Sequence, residues 1–214
     1  MSPLPTPEES LNAYRLVWPE GLIPYAHFDR EFEAKTVHDI EAFLKTYPRG
    51  EGLERTCKAG HITGSALVVN PSLDRVLLML HAKLNKWLQL GGHVDGNPDI
   101  AGAALREARE ESGRDEVTHF AWESVLNLAH LAPSPLDLDI HEIPARGQEP
   151  GHFHYDIRYL CVLDDTLTLI KNSESKDLRW LSLEDAARVT SEKSMLRQFA
   201  KLLAIRERAE KTRC

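Results

Sequence analysis

Glu107, Glu110 and Glu111 set three carboxylates within little more than one helical turn, in the run Arg106-Glu107-Ala108-Arg109-Glu110-Glu111. At roughly 100° per residue they share one sector of a helix surface. Like charges this close repel one another and weaken an isolated helix. A positive partner is therefore expected in front of them, and a hard divalent cation bound through oxygen is the natural one. The competing reading is a solvated surface face, the usual fate of a Glu/Arg-rich helix. The clustering on one side, and the Gly91–Gly92 turn just upstream, favour a site.

The helix that must carry these groups has recognisable ends. Asn97 is the expected N-cap, Pro98 suits the first helical position, and Asp99 favours the positive end of the dipole. Gly113 follows the last periodic residue, where a left-handed C-terminal cap is expected. Ala101, Ala104, Leu105 and Ala108 form an apolar stripe at helical spacing. The glutamates point about 120° away from that stripe, from the 3.6-residue period. Small side chains in the stripe let the helix lie close against a sheet while its acidic side faces a cleft.

From Gly92 to Arg114 the chain resembles the signature of the Nudix hydrolases, G-x5-E-x7-R-E-U-x-E-E-x-G-U, with U aliphatic. Gly92 opens the pattern, and Arg106, Glu107, Ala108, Glu110, Glu111 and Gly113 match its second half in order and spacing. Two positions depart from it: Pro98, next to Asp99, replaces the first glutamate, and Arg114 stands at the last aliphatic position, whose packing role can pass to Val117. The resemblance implies an α/β/α sandwich with a mixed central sheet and an enzyme that hydrolyses a diphosphate linkage, in a nucleoside diphosphate-type (NDP-X) substrate, with Mg²⁺ or Mn²⁺ as cofactor. It also implies that a glutamate in a loop outside the motif can serve as base or extra metal ligand. Among Glu142, Glu149 and Glu174, the choice falls on Glu174, before the last strand.

Such hydrolysis needs water to attack phosphorus while negative charge grows on the phosphate oxygens, which a divalent cation neutralises. Glu107 and Glu111, at i and i+4, are the leading metal ligands. Glu110 completes the cluster as a further ligand or as the base, and the choice of base between Glu107 and Glu110 stays open. The turn at Gly92 can supply a backbone carbonyl ligand. Arg106 is assigned a structural role, pairing with acidic groups to hold the loop.

The second informative segment is His152-Phe153-His154-Tyr155-Asp156-Ile157-Arg158. On a strand, His152, His154, Asp156 and Arg158 fall on one face. A row of polar groups is costly unless the face lines water, a ligand or a metal. The alternatives are a solvent-facing edge strand, or a face overlooking the carboxylate helix. In the second, Arg158 contacts phosphate and the histidines bind phosphate, orient water or add metal ligands. His93 follows Gly92 directly and belongs near any site on that turn, whereas His61 is a weaker addition. Lys83 and Lys86 with Trp87 could hold a phosphate and stack a base, or form an ordinary basic hairpin loop.

The remaining pattern bounds the architecture. A chain of 214 residues with 42% hydrophobic content buries one substantial core. Residues 1–50 read as an N-terminal helical extension with segments around Leu11 to Leu16 and Phe28 to Tyr47, closed by Pro48-Arg49-Gly50. A Nudix-type domain is assigned to 51–190. The stretches 61–69 and 76–80 form a hairpin around Asn70-Pro71-Ser72; Trp87 to Leu90 is a short strand, Phe120 to Leu131 is extended, Leu136 to Ile140 alternates, and Leu178 to Leu181 is the last strand. Ser182 caps a helix, and a C-terminal helix and tail occupy 191–214.

A net charge of −7 gives no electrostatic footprint for duplex nucleic acid, and the resemblance implies a small-molecule diphosphate or nucleotide as partner. Three scattered cysteines indicate neither a disulfide framework nor a zinc ribbon. No membrane-spanning run and no leader pattern are visible, and a cytoplasmic location is the default. Oligomeric state is left open, a homodimer included. Three other readings stand beside the hydrolase: a silent Nudix-fold nucleotide-binding or regulatory module, an isoprenoid diphosphate isomerase needing a cysteine such as Cys57 or Cys161, and a histidine-rich transition-metal site around His152 and His154.

Overall fold

Capping chemistry fixes two helices ahead of the sheet. In α1 (Pro7–Val17) the Thr6 hydroxyl accepts from the Glu9 amide and the Glu9 carboxylate accepts from the Thr6 amide, a reciprocal capping box. In α2 (Arg30–Thr46) the Asp29 carboxylate accepts from the Phe32 amide. The computed structural model describes residues 6–19, 23–126, 133–147 and 150–212. Leu11, Tyr14 and Val17 of α1, with Val37, Ile40 and Phe43 of α2, enter the same apolar core as Ile62, Leu138, Ile157 and Tyr159. The Phe43 ring stacks on Tyr155 with centroids 3.9 Å apart. The helical extension therefore docks on the sheet.

The sheet has eight strands: β1 (Gly60–Val69), β2 (Arg75–His81), β3 (Trp87–Leu88), β4 (Leu90–His93), β5 (Thr118–His119), β6 (Pro135–Ile143), β7 (His152–Val162) and β8 (Ser175–Ser182). β1 and β7 pair in parallel from Gly60 opposite Phe153 to Val69 opposite Val162. The other pairs are antiparallel: β2 with β1, β3 and β8; β4 with β1; β5 and β6 with β7. The predicted hairpin is present, its turn held by the Asn70 side-chain oxygen accepting from the Asp74 and Arg75 amides.

Gly64 shows which face carries α3 (Ile100–Ser112). A Cβ there would lie 3.0 Å from the Ile100 carbonyl oxygen and 3.2 Å from the Ala104 nitrogen, so helix and strand touch backbone to backbone. The neighbouring Ala66 and Val68 join Ala108, Leu105 and Val117 beneath the helix. On the opposite face, Leu67, Val69, Val76 and Leu78 share a core with Ala186 of α5 (Leu183–Val189) and with Met195, Phe199 and Leu202 of α6 (Lys193–Thr212). Helices thus cover both faces of a mixed sheet, the layering expected from the sequence.

Three local expectations need correction. The cap of α3 is Asp99, whose carboxylate accepts from the Gly102 amide; Asn97 instead accepts from the Asp99 amide, and Pro98 precedes the helix. The run from Trp87 to Leu90 is split at Gln89, because β3 pairs with β2 while β4 crosses to β1. The stretch after Phe120 is not extended: Glu123–Leu126 is a short helix, α4, with residues 127–132 outside those described.

A buried ionic network welds α6 to the edge strand β6. Alternation on β6 turns Leu136 and Leu138 one way and Asp137 and Asp139 the other. Asp137 is buried and receives Arg197 at 2.8 Å, Lys201 at 2.8 Å and Arg158 at 3.3 Å. Lys201 is itself buried, 2.8 Å from Glu33 of α2 and 4.8–5.3 Å from the ring centres of Tyr14, Trp18 and Tyr25. Glu33 also accepts from the hydroxyls of Tyr14 and Tyr25. Removing one partner strands the others without solvent. Lys201→Met should therefore cost about 3–5 kcal/mol of stability, read from urea denaturation midpoints; an unchanged midpoint would show that the network is energetically idle.

Candidate active site

The glycine turn and the acidic helix meet at two contacts. Glu111 is only 2% exposed, and its carboxylate accepts a 2.8 Å hydrogen bond from the Gly91 amide. One residue on, a Cβ at Gly92 would lie 2.6 Å from the Glu107 carboxyl carbon, so a side chain there would displace that carboxylate from its place over the turn. Gly113 ends α3 with φ +65, and a Cβ there would strike the Ile170 backbone oxygen at 2.7 Å. Val117 is fully buried in the core under α3, taking the aliphatic role that Arg114 does not fill. The Arg114 guanidinium instead donates to the Thr168 carbonyl.

Burial raises the Glu111 carboxyl to about 8; the Gly91 amide opposes the rise, and the charges of Glu107, Glu174 and Glu110 add to it. Glu107 is also raised, first by burial, with Arg106 opposing. Carboxyls crowded together away from water favour a further cation beside them. Such a hard oxygen donor set fits Mg²⁺ or Mn²⁺. Glu110 differs from its neighbours. Its side chain is 58% exposed and paired only loosely, at 3.3 Å, with Arg106.

Arg106 bridges the turn and the helix. Its guanidinium donates to the His93 carbonyl at 3.1 Å and lies 2.9 Å from the Glu107 carboxylate. The charge of Glu174 acts on both Glu107 and Glu111, placing this loop glutamate within electrostatic reach of the cluster. Glu142 lies on β6 opposite Phe153, and Glu149 falls outside the described residues. One cation was missed in the sequence. Arg55 forms a two-point ion pair with Asp95, at 2.7 and 2.8 Å, and its charge couples to Glu107. No local pattern marks it, because Asp95 is distant in sequence and takes its position from the turn, at φ +49.

The polar face of β7 lies elsewhere than expected. The Thr63 and Ser65 hydroxyls donate to Asp156 at 2.9 and 2.8 Å, on the face of β1 opposite to that on which α3 packs. His154, Asp156 and Arg158 thus look away from the carboxylate helix. Arg158 is buried and committed: it donates to Asp156 at 2.7 Å, Asp139 at 3.1 Å and Asp137 at 3.3 Å. That geometry replaces the expected phosphate contact with a structural role.

Farther along the same face the imidazoles of His61, His93, His152 and His154 gather, with ring centres 4.7–5.5 Å apart in the contacting pairs. Burial, helped by the neighbouring imidazoles, pushes His61 down to about 4 and His154 down to about 2, so both are neutral near pH 7. Lys86 stands apart in the β2–β3 hairpin, ion-paired with Glu192. Cys161 lies under α3 with its thiol pushed up to about 12 by burial, which disqualifies it as an isomerase acid or base. No helix of the described residues is long and apolar enough to cross a membrane.

Comparison with known proteins agrees with this geometry. The family model for the NUDIX domain matches residues 61–202. No curated protein sequence matches the chain significantly. Among solved structures, a NUDIX-family hydrolase from Clostridium perfringens is 28% identical, with TM-score 0.50, over 66% of this chain and 95% of that one. An Ap4A hydrolase of C. elegans is 22% identical with TM-score 0.48, covering 67% of this chain and 97% of its own. The E. coli dihydroneopterin triphosphate pyrophosphohydrolase is 16% identical with TM-score 0.47, covering 70% and 95%. With the family model spanning the sheet, the glycine turn, α3 and the first half of α6, the chain belongs to the Nudix family and is a Nudix hydrolase.

Proposed function

We propose that this Nudix hydrolase cleaves the diphosphate linkage of a nucleoside diphosphate-type (NDP-X) substrate with Mg²⁺ or Mn²⁺ as cofactor. The observation that carries the reading is the buried Glu111, its carboxyl raised towards neutrality beside Glu107 and tied to the Gly91 amide. Glu107 and Glu111, with the Gly92 carbonyl, would hold the cation. When bound, it supplies neutralisation of the phosphate oxygens and acidification of water.

The side chains divide the rest of the work. Glu110, exposed and weakly tethered, is free to turn towards a water and accept its proton, with Glu174 as the alternative base from the facing loop. Arg106 holds Glu107 and the turn at a fixed separation through the His93 carbonyl. Arg55, whose charge couples to Glu107, is the proposed phosphate contact; the His93 side chain lies on the other face of β4, with the imidazoles. The intact cluster weighs against a silent nucleotide-binding module, because binding alone does not call for a buried Glu111 carboxyl crowded by Glu107.

Purified protein should release a monophosphate product from a panel of NDP-X compounds only with divalent cation. Glu111→Gln should lower kcat at least about 100-fold, the scale of losing a charge-stabilising group at a reacting centre. Turnover by that variant at the native rate would overturn the site.

Stability should respond as well. In metal-free protein the folded Glu111 carboxyl stands near 8 against an ordinary 4.5, so the folded state holds the proton more tightly. Its contribution is fully present below 4.5 and is lost as pH rises through about 8. Glu111→Gln should flatten that decline and stabilise the metal-free protein at the alkaline end by on the order of 1 kcal/mol, read as a higher melting temperature. A parallel decline in both proteins would remove Glu111 as its source.

A further inference from the structure

The imidazoles of His61, His93 and His154 come from the start of β1, the end of β4 and the start of β7, three strands adjacent in the sheet. One ring nitrogen of each lies within 4.8 Å of the other two. His61 is 2% exposed, and neither of its ring nitrogens has a hydrogen-bond partner. An imidazole buried without a partner is costly. Such a group points to a missing ligand.

We infer that His61, His93 and His154 form a second metal site, separate from the glutamate cluster, which binds one borderline late transition-metal ion of the Zn²⁺ type. The donor chemistry selects the class: three neutral imidazoles suit Zn²⁺, Co²⁺ or Ni²⁺, while Mg²⁺ and Mn²⁺ prefer oxygen. Zinc–nitrogen bonds are about 2.0–2.1 Å, so tetrahedral ligands sit about 3.3 Å apart, a modest side-chain rotation from the present spacing. The His61 and His154 rings are already neutral near pH 7, so binding displaces no proton from them. His152 stacks on His61 with centres 5.1 Å apart and is the neighbour best placed for the fourth position, otherwise taken by solvent or an anion. His141, 5.5 Å from His154 and hydrogen-bonded to Asp139, is placed to support the ligand set from behind.

The two sites share one short segment. The backbone at Gly92 belongs to the glutamate cluster, and the next side chain, His93, belongs to the imidazole triad. A zinc-type ion would pin the turn from the face opposite Glu107. It is a positioning element for the hydrolase, not a reacting centre.

The test uses tag-free full-length protein stripped with chelator and titrated with Zn²⁺ by calorimetry in excess Mg²⁺, with total metal measured after dialysis. The expected result is one equivalent of Zn²⁺ that Mg²⁺ does not displace, with a raised melting temperature. His154→Gln and the more exposed His93→Gln should each weaken Zn²⁺ binding by about tenfold or more, since even outer-shell losses cost that much. Glu111→Gln should leave Zn²⁺ binding intact while abolishing hydrolysis, which separates failure of this site from failure of the hydrolase reading. Circular dichroism of each stripped variant shows whether it folds. Absence of saturable Zn²⁺ binding, binding untouched in both histidine variants, or binding lost with Glu111→Gln would each overturn the site.

Discussion

A single hydrogen bond, from the Gly91 amide to the Glu111 carboxylate, sets the distance on which the active-site geometry depends. It joins the backbone of an edge strand to a side chain on the last turn of a helix. A buried carboxylate needs partners, and here one partner is an amide that β4 does not spend on its ladder. Once Glu111 is tied there, Glu107 must lie over Gly92 and Arg106 can reach the His93 carbonyl. The absence of side chains is the other half of the constraint: one at Gly64 would push α3 off the sheet, one at Gly91 would strike Ser65 of β1, and one at Gly92 would displace the Glu107 carboxylate.

The opposite face of the sheet follows a different rule. From α6 outward it passes from apolar core to a belt of aspartates, arginines and lysine, and then to the imidazoles. The belt satisfies its own charges internally. Asp137 and Asp139 are held below the usual carboxylate range by their cationic neighbours despite burial. At the imidazole end, His61 is neutral near pH 7 and neither of its ring nitrogens has a hydrogen-bond partner. The ionic belt closes on itself; the histidine end faces outward for something else.

The sequence carried the parts of this architecture that are local. The acidic helix, its glycine cap at Gly113, the hairpin turn at Asn70 and the alternation along β7 are all set by residues within a few positions of one another. The start of α3 was misjudged because Asn97 and Asp99 are both good caps, and only the packing of Ile100 against Gly64 selects the second. Arg158 resembled a phosphate ligand because its three aspartate partners lie on β6 and on its own strand, in a register that composition does not reveal. His61 looked like an isolated histidine for the same reason: parallel pairing brings it beside His154 across a long stretch of chain. Arg55 gave no signal at all, since its role comes from the turn that presents Asp95.

Strand β4 is four residues long, and its side chains alternate between two environments. Gly92 must be bare towards Glu107, whereas His93 must reach the imidazoles on the other side. A period of two leaves no freedom in that arrangement. One residue inserted or removed between Leu90 and His93 would exchange the faces, driving a side chain into the carboxylates and turning the histidine away from its companions. The segment is thus a reading frame of its own, tolerant of drift at its flanks and intolerant of any change in its count.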